Sequence, residues 1–328
     1  MATLVRRWRD AATSLWFPAF FSNSPGRARG QGGALLRTLA LSGLLAMLHV
    51  SASLYMLAIY DQVLPSGSVT ALAALVALAT VFHGLSVALD VRRTRAVLRA
   101  GLDHVELLDR RVLTALKQEN GGLAFALLDD VERVRRFLTG PGPCAVLDGL
   151  WTPAFLFAVF VVHPVLGAFA CAAMALLAWL ALSTEVRERE ARHPVRLARR
   201  ARYVLVRDLQ ACRSHGDGAR WLDTIRRWRV LSRSYSELTF SAYVRTLPAV
   251  GLGRGLRPAL QSAGVGLAAL LAIEGLISPG ALLAASLLIG RTLGALDGAL
   301  AHWQGLVAAR ESHQRLAAAI SARDPARS

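Results

Sequence analysis

Lys117 is the only lysine in a chain of 328 residues, and it is the first residue to test for phosphate chemistry. A loop that cradles nucleotide phosphates needs a lysine directly behind a run of glycines, so that backbone N–H groups and one ammonium converge on the same oxygens. Lys117 sits in Ala115-Leu116-Lys117-Gln118, with no glycine-rich turn before it. The glycine clusters Gly251-Leu252-Gly253 and Gly264-Val265-Gly266 lie within apolar runs, where small residues let helices approach rather than bind phosphate. No Ser–His–Asp set, HExxH pair or metal-spaced cluster stands out. Cys144, Cys171 and Cys212 are far apart, form no CxxC pair, and read as small buried hydrophobes. No catalytic site is visible, and ATP hydrolysis by the P-loop route would have to come from elsewhere.

The elements around these residues explain the composition. Apolar residues make up 54% of the chain and the mean hydropathy is +0.41, above the roughly 45–50% apolar of soluble domains. The excess collects in runs of about 20 residues, the length a bilayer-crossing helix needs. Six spans are expected, at about 35–60, 69–90, 144–162, 165–183, 258–273 and 281–300. Asp61-Gln62-Val63-Leu64-Pro65-Ser66-Gly67-Ser68, His163-Pro164 and Glu274-Gly275-Leu276-Ile277-Ser278-Pro279-Gly280 pair them into three hairpins, with Pro and Gly as helix stops. Asp61 and Glu274 flank these turns and read as solvated. The fold class is all-α and integral to the membrane.

A net charge of +16 could suit a nucleic-acid binder, but the arginines track membrane sidedness instead. Residues 1–37 hold six arginines, 91–137 ten Lys/Arg and 185–245 fifteen, while the three turns hold none. The positive-inside rule puts both termini and both long loops in the cytoplasm. Residues 1–34 read as a cytoplasmic lead-in, in part an interfacial helix around Trp8 and Trp16, and not a signal peptide. The long loops read as helical stalks continuing the spans, since about 25 helical residues extend ~38 Å.

Inside the spans, Arg291 is costly enough, from ~3 to above 10 kcal/mol, that it should face a watery interior or a carboxylate. One reading makes it a wall of a transport pathway. The other pairs it with Asp148 or Glu274. Arg254 and Arg257, before the fifth span, either join that pathway or snorkel to the interface. His49 and His83 read as packing residues with an interhelical hydrogen bond.

At Tyr55-Met56-Leu57-Ala58-Ile59-Tyr60-Asp61-Gln62-Val63-Leu64-Pro65-Ser66 the chain resembles type I secretion ABC transporters, in the branch exporting proteases and RTX-type proteins. Further matches run from Leu128 to Gly140, from Leu147 to Pro153, and through Ile277–Ala281, Ser286–Arg291, Trp303 and Val307–Arg310. The resemblance implies a six-helix exporter transmembrane domain over 35–320, with 321–328 a tail where an ATPase domain would normally follow. It implies two six-span halves around one pathway, as a homodimer or a heterodimer with a homologous half. It also implies a P-loop ATPase in trans bringing ATP and Mg²⁺, a periplasmic adaptor, an outer-membrane channel, and an unfolded polypeptide as cargo. Nucleic acid has no place in it. Coupling segments that plug into the ATPase would fall near Arg111–Lys117 and near Asp208, Arg213 and Gly216.

The chain departs from that family in two places. No nucleotide-binding domain is expected within these residues, and the second coupling segment, Leu209-Gln210-Ala211-Cys212-Arg213-Ser214-His215-Gly216-Asp217, is polar where the family tends to be apolar. A permease half in the bacterial inner membrane is therefore expected, with a non-transporting remnant acting as scaffold or regulator as the alternative.

Overall fold

A computed structural model of the chain describes residues 28–116, 124–215 and 218–321. These residues form helices with no strand among them, and six helical stretches are long and apolar enough to cross a membrane. The expected all-α membrane fold is therefore the observed one. Segments expected at 1–27, 117–123, 216–217 and 322–328, including Lys117 and Gly216, lie outside the described residues.

Helix α1 (Ala28–Ala58) runs into a π-helical turn at Ile59–Val63 and a single α-turn, α2 (Leu64–Ser66). The π turn is closed by the Leu64 N–H donating to the Ile59 carbonyl five residues back. After Gly67, in the left-handed region at φ 61°, Ser68 Oγ accepts the Ala71 N–H and starts α3 (Val69–Leu116). Helix α4 (Ala124–Leu138) follows, then α5 (Gly142–Leu150) and α6 (Thr152–Val162). The third span is thus two helices rather than one, because Pro153 has no N–H to continue the ladder through Trp151. His163 then turns extended, its Nδ1 accepts the Val165 N–H, and α7 (Pro164–His215) begins with proline at its first position.

Helix α8 (Gly218–Ile273) is one helix that carries the fifth apolar stretch, with Pro248 and Pro258 inside it. It ends in a double closure. Gly275, at φ 73°, donates its N–H to the Ala272 carbonyl, and Leu276 donates to Leu271, the pattern in which a left-handed glycine satisfies the last carbonyls of a helix. Helix α9 (Pro279–Ser321) follows.

Asp61 is not solvated as its place beside a turn suggested. It is half-buried, and its carboxylate accepts from the Ser278 hydroxyl and from the Gly280 N–H at 2.9 Å, at the first turn of α9. The π turn brings it there, a detail that helical periodicity does not encode.

The chain divides into two compact units, 1–171 with 264–328, and 172–263. In the first, α9 is the central element. Ala285, Ile289 and Leu293 have no exposure, and Leu147, Val159 and Leu166 are equally buried. Gly264 is a true close approach, since a Cβ there would lie 3.1 Å from both Ile289 and Phe169. A Cβ at Gly253 would only touch the Leu180 side chain, at 4.0 Å, and Gly251 and Gly266 meet nothing. In the second unit, Arg202 lies between the rings of Trp228 and Tyr235, 4.6 Å from each centroid, and ties α7 to α8. Arg202→Ala is expected to cost about 1–2 kcal/mol of local stability, seen as faster proteolysis in 185–245 with the rest of the chain unchanged.

Candidate pathway surface and coupling segments

Arg291 lies about 18 Å of helix beyond Pro279 and is exposed, with its guanidinium 5.7 Å above the Phe155 ring. Neither expected carboxylate lies within ion-pair distance of it, although Asp148 is near enough to act on its charge. Glu274 is exposed at its turn. Asp148 is already taken: Arg93 reaches it through Nη1 and, at 3.4 Å, through Nη2. Arg93 also binds Asp90 at 2.8 Å and reaches Ser42 Oγ at 3.5 Å, and only 5% of it is exposed. One buried guanidinium therefore joins α1, α3 and α5. In the sequence Arg93 looked like one more interfacial arginine beside Arg92 and Arg95; only the tertiary pairing distinguishes it.

Removing the Asp148 carboxylate leaves buried Arg93 with Asp90 as its one remaining carboxylate, beside the Ser42 hydroxyl. Asp148 is itself 41% exposed, which tempers the cost usually paid for breaking a buried pair. Asp148→Ala is expected to destabilise the chain by about 2–3 kcal/mol, measured as a lowered melting temperature in detergent. Asp148→Asn should recover part of that loss.

The two intramembrane histidines do not bridge helices. His83 is exposed and meets the carbonyl of Ala79 on its own helix at 2.7 Å. His49 meets the Leu45 carbonyl, also on its own helix. A ring four residues from an open carbonyl satisfies itself locally. Cys171 is exposed rather than buried, and Cys144 and Cys212 are half-buried; all three are free thiols. Arg254 and Arg257 lie inside α8 in the second unit, the first exposed and the second half-buried.

Of the expected coupling residues, Arg111 is half-buried on α3 and Asp208 is exposed on α7. Arg213 belongs to α7, and Lys117 and Gly216 lie outside the described residues. Around Arg111 the structure shows what the sequence did not, a three-helix bundle of α3, α4 and α9. Helix α3 carries 48 residues, some 72 Å of helix, more than twice the ~30 Å of a hydrocarbon core. A helix of that length outruns such a core, and its charged part from about residue 91, with the end of α9 packed against it, is the portion expected outside the membrane. Val105, Leu108 and Val112 of α3, Val131, Val134 and Phe137 of α4, and Ala309 and Leu316 of α9 form one buried core there.

Polar groups fix the bundle's register. Asp130, 7% exposed, accepts from Ser312 Oγ at 2.9 Å and from Arg315 through Nε at 2.9 Å and Nη2 at 2.6 Å. Arg315 and the Ser312 hydroxyl hold the Asp130 carboxyl below its usual range, against a burial effect that pushes it up. Arg135 binds Asp109 at 2.6 Å. The rings of His104 and His313 stack with centroids 5.4 Å apart. Burial, then His313 and Arg111, push His104 down to about 4, and burial with Arg111 also lowers His313. In sequence α4 shows a family resemblance, and its strong amphipathicity, with Leu127, Val131, Val134 and Leu138 on one face, is the signal that points to the bundle.

No protein-family model matches the chain. Over 292 residues, 86% of the chain, it is 32% identical to the type I secretion system ATP-binding protein PrsD of Rhizobium meliloti (strain 1021). The chain spans about half the length of that relative, 49% of it. That similarity to a type I secretion ABC protein, with six helices long and apolar enough to cross a membrane among the described residues, supports an all-α, multi-pass membrane domain.

Proposed function

We propose that the chain is the permease half of an exporter working in type I protein secretion, driven by a P-loop domain that lies outside these 328 residues. In a split exporter that domain sits on a partner chain and brings ATP and Mg²⁺. The observation that carries the reading is the 32% identity to PrsD over 292 residues. Exposed Arg291 supports it, because two six-span halves would enclose in a wet pathway a charge that one half leaves facing lipid. Arg254 and Arg257 are proposed to line the same route. Arginines in residues 1–37 and in both long loops, with none in the three turns, favour a cytoplasmic side for both termini. An adaptor and an outer-membrane channel would complete the conduit, and an unfolded polypeptide would be the cargo.

A second reading rests on one feature, the polar stretch Leu209–Asp217. A turn that must seat in an apolar groove loses ~0.8 kcal/mol for each methylene it lacks, which suits a scaffold or regulator that no longer transports. A pull-down of the tagged chain from its native membranes separates the two. Co-purification of a P-loop ATPase, lost when 111–117 and 208–216 are scrambled, is the expected result. Recovery of the chain alone, or with copies of itself alone, sinks the energised permease and leaves the scaffold.

A further inference from the structure

The end of the bundle that bears the short turns is held by a bond between residues 217 positions apart. Asp61 Oδ2 accepts the Ser278 hydroxyl and Oδ1 accepts the Gly280 N–H. Ser278 Oγ in turn accepts the Ala281 N–H at 3.0 Å. One carboxylate on the first hairpin thus completes the cap of the helix that opens the sixth span, and its negative charge faces the positive end of a helix of 43 residues. The fit is close. A Cβ on Gly280 would come within 2.6 Å of Asp61 Oδ1 and 2.7 Å of the Leu57 carbonyl oxygen.

Asp61 is also the middle residue of the π turn Ile59–Val63. Such a turn holds one residue more than α-helical winding would, and reverting to α winding rotates the residues after it by roughly 100°. Asp61 would then leave the Gly280 N–H. The clasp fits the π winding, and an α winding of the same segment would not make it. We propose that Asp61, Ser278 and Gly280 form a latch that holds the first and third hairpins together at the turn-bearing face, and that a π-to-α change at Ile59–Val63 opens it. The latch goes beyond the transport reading and does not require it, because cysteine labelling reads its opening whether or not an ATPase co-purifies.

The experiment uses the full chain in lipid nanodiscs, where both faces are open to reagent. Cys144, Cys171 and Cys212 are replaced by serine, and single cysteines are placed at Ala285 or at Leu166. Both positions have no exposure. Ala285 lies just past the clasp on α9, and Leu166 lies near the same face at the start of α7. Maleimide labelling is compared in Asp61→Ala, Gly280→Ala and the milder Asp61→Asn. The latch predicts at least tenfold faster labelling at position 285 in the first two variants, an intermediate gain in Asp61→Asn, and less than twofold change at 166. Unchanged labelling at 285 overturns the proposal. So does a parallel rise at 285 and 166, which would mean general loosening rather than an opening at the clasp.

Discussion

Phe137→Ala will detach α4 from the extramembrane bundle while leaving the six spans in place. Phe137 is 7% exposed and closes the lower end of the α4 core. Its ring also fills the space beside Gly142 and Gly305, where added Cβ atoms would lie 2.5 and 3.2 Å from it. The ring therefore meets α4, the start of α5 and the extension of α9 together, and no neighbouring side chain can expand into three surfaces at once. Loss of a buried Phe costs about 3–5 kcal/mol when the cavity cannot collapse, comparable to the whole stability of a bundle this small. Hydrogen exchange should show α4 and the last turns of α9 losing protection by a factor of about a hundred or more, with the apolar half of α3 unchanged. Phe137→Leu, which keeps most of the volume, should lose far less.

Acidification will weaken the same bundle in a defined window. His104 is held neutral in the folded chain, its value pushed from 6.5 to about 4 chiefly by burial and then by His313 and Arg111. A group whose folded value is depressed favours the folded state above its unfolded value. That contribution is lost as pH falls, because the unfolded chain takes up the proton first. The bundle should therefore be unaffected above pH 6.5, lose stability progressively from there to about pH 4, and level off for this group below it. A gap of this size corresponds to about 3 kcal/mol at the acid end, with His313 adding to it in the same direction. Denaturation followed at several pH values should show the slope, and His104→Gln should flatten it. Asp130 adds to the loss at lower pH still, since its carboxylate is held below the usual range by Arg315 and Ser312 and must protonate to let go.

What the sequence made legible is the part that depends on short-range pattern. Runs of apolar residues marked the spans, and Pro and Gly marked the turns at Gly67, Pro164 and Pro279. Three features escaped. Asp61 escaped because its partners are more than two hundred positions away and because a π turn, which periodicity does not announce, aims it at Gly280. Arg93 escaped because nothing local tells a buried guanidinium from its exposed neighbours Arg92 and Arg95. The histidines were assigned to neighbouring helices when their own helices offered closer carbonyls. Arg291 stands out in sequence by type and depth alone, and the ring of Phe155 beneath its guanidinium carries no charge to suggest the contact.

The extramembrane bundle also sets an order on biogenesis. Its core joins α3 and α4 to residues of α9 that begin at Leu306, about 170 residues after α4 ends at Leu138. At ribosomal speeds of about 5–20 residues per second, the apolar faces of α3 and α4 wait roughly ten to thirty seconds for their third wall. During that interval four further spans must enter the membrane. A nascent chain of this kind presents a sticky two-helix patch beside the ribosome exit, and a message cut short before Leu306 leaves that patch permanently uncovered. Quality control at the membrane would have a ready mark by which to distinguish finished chains from unfinished ones.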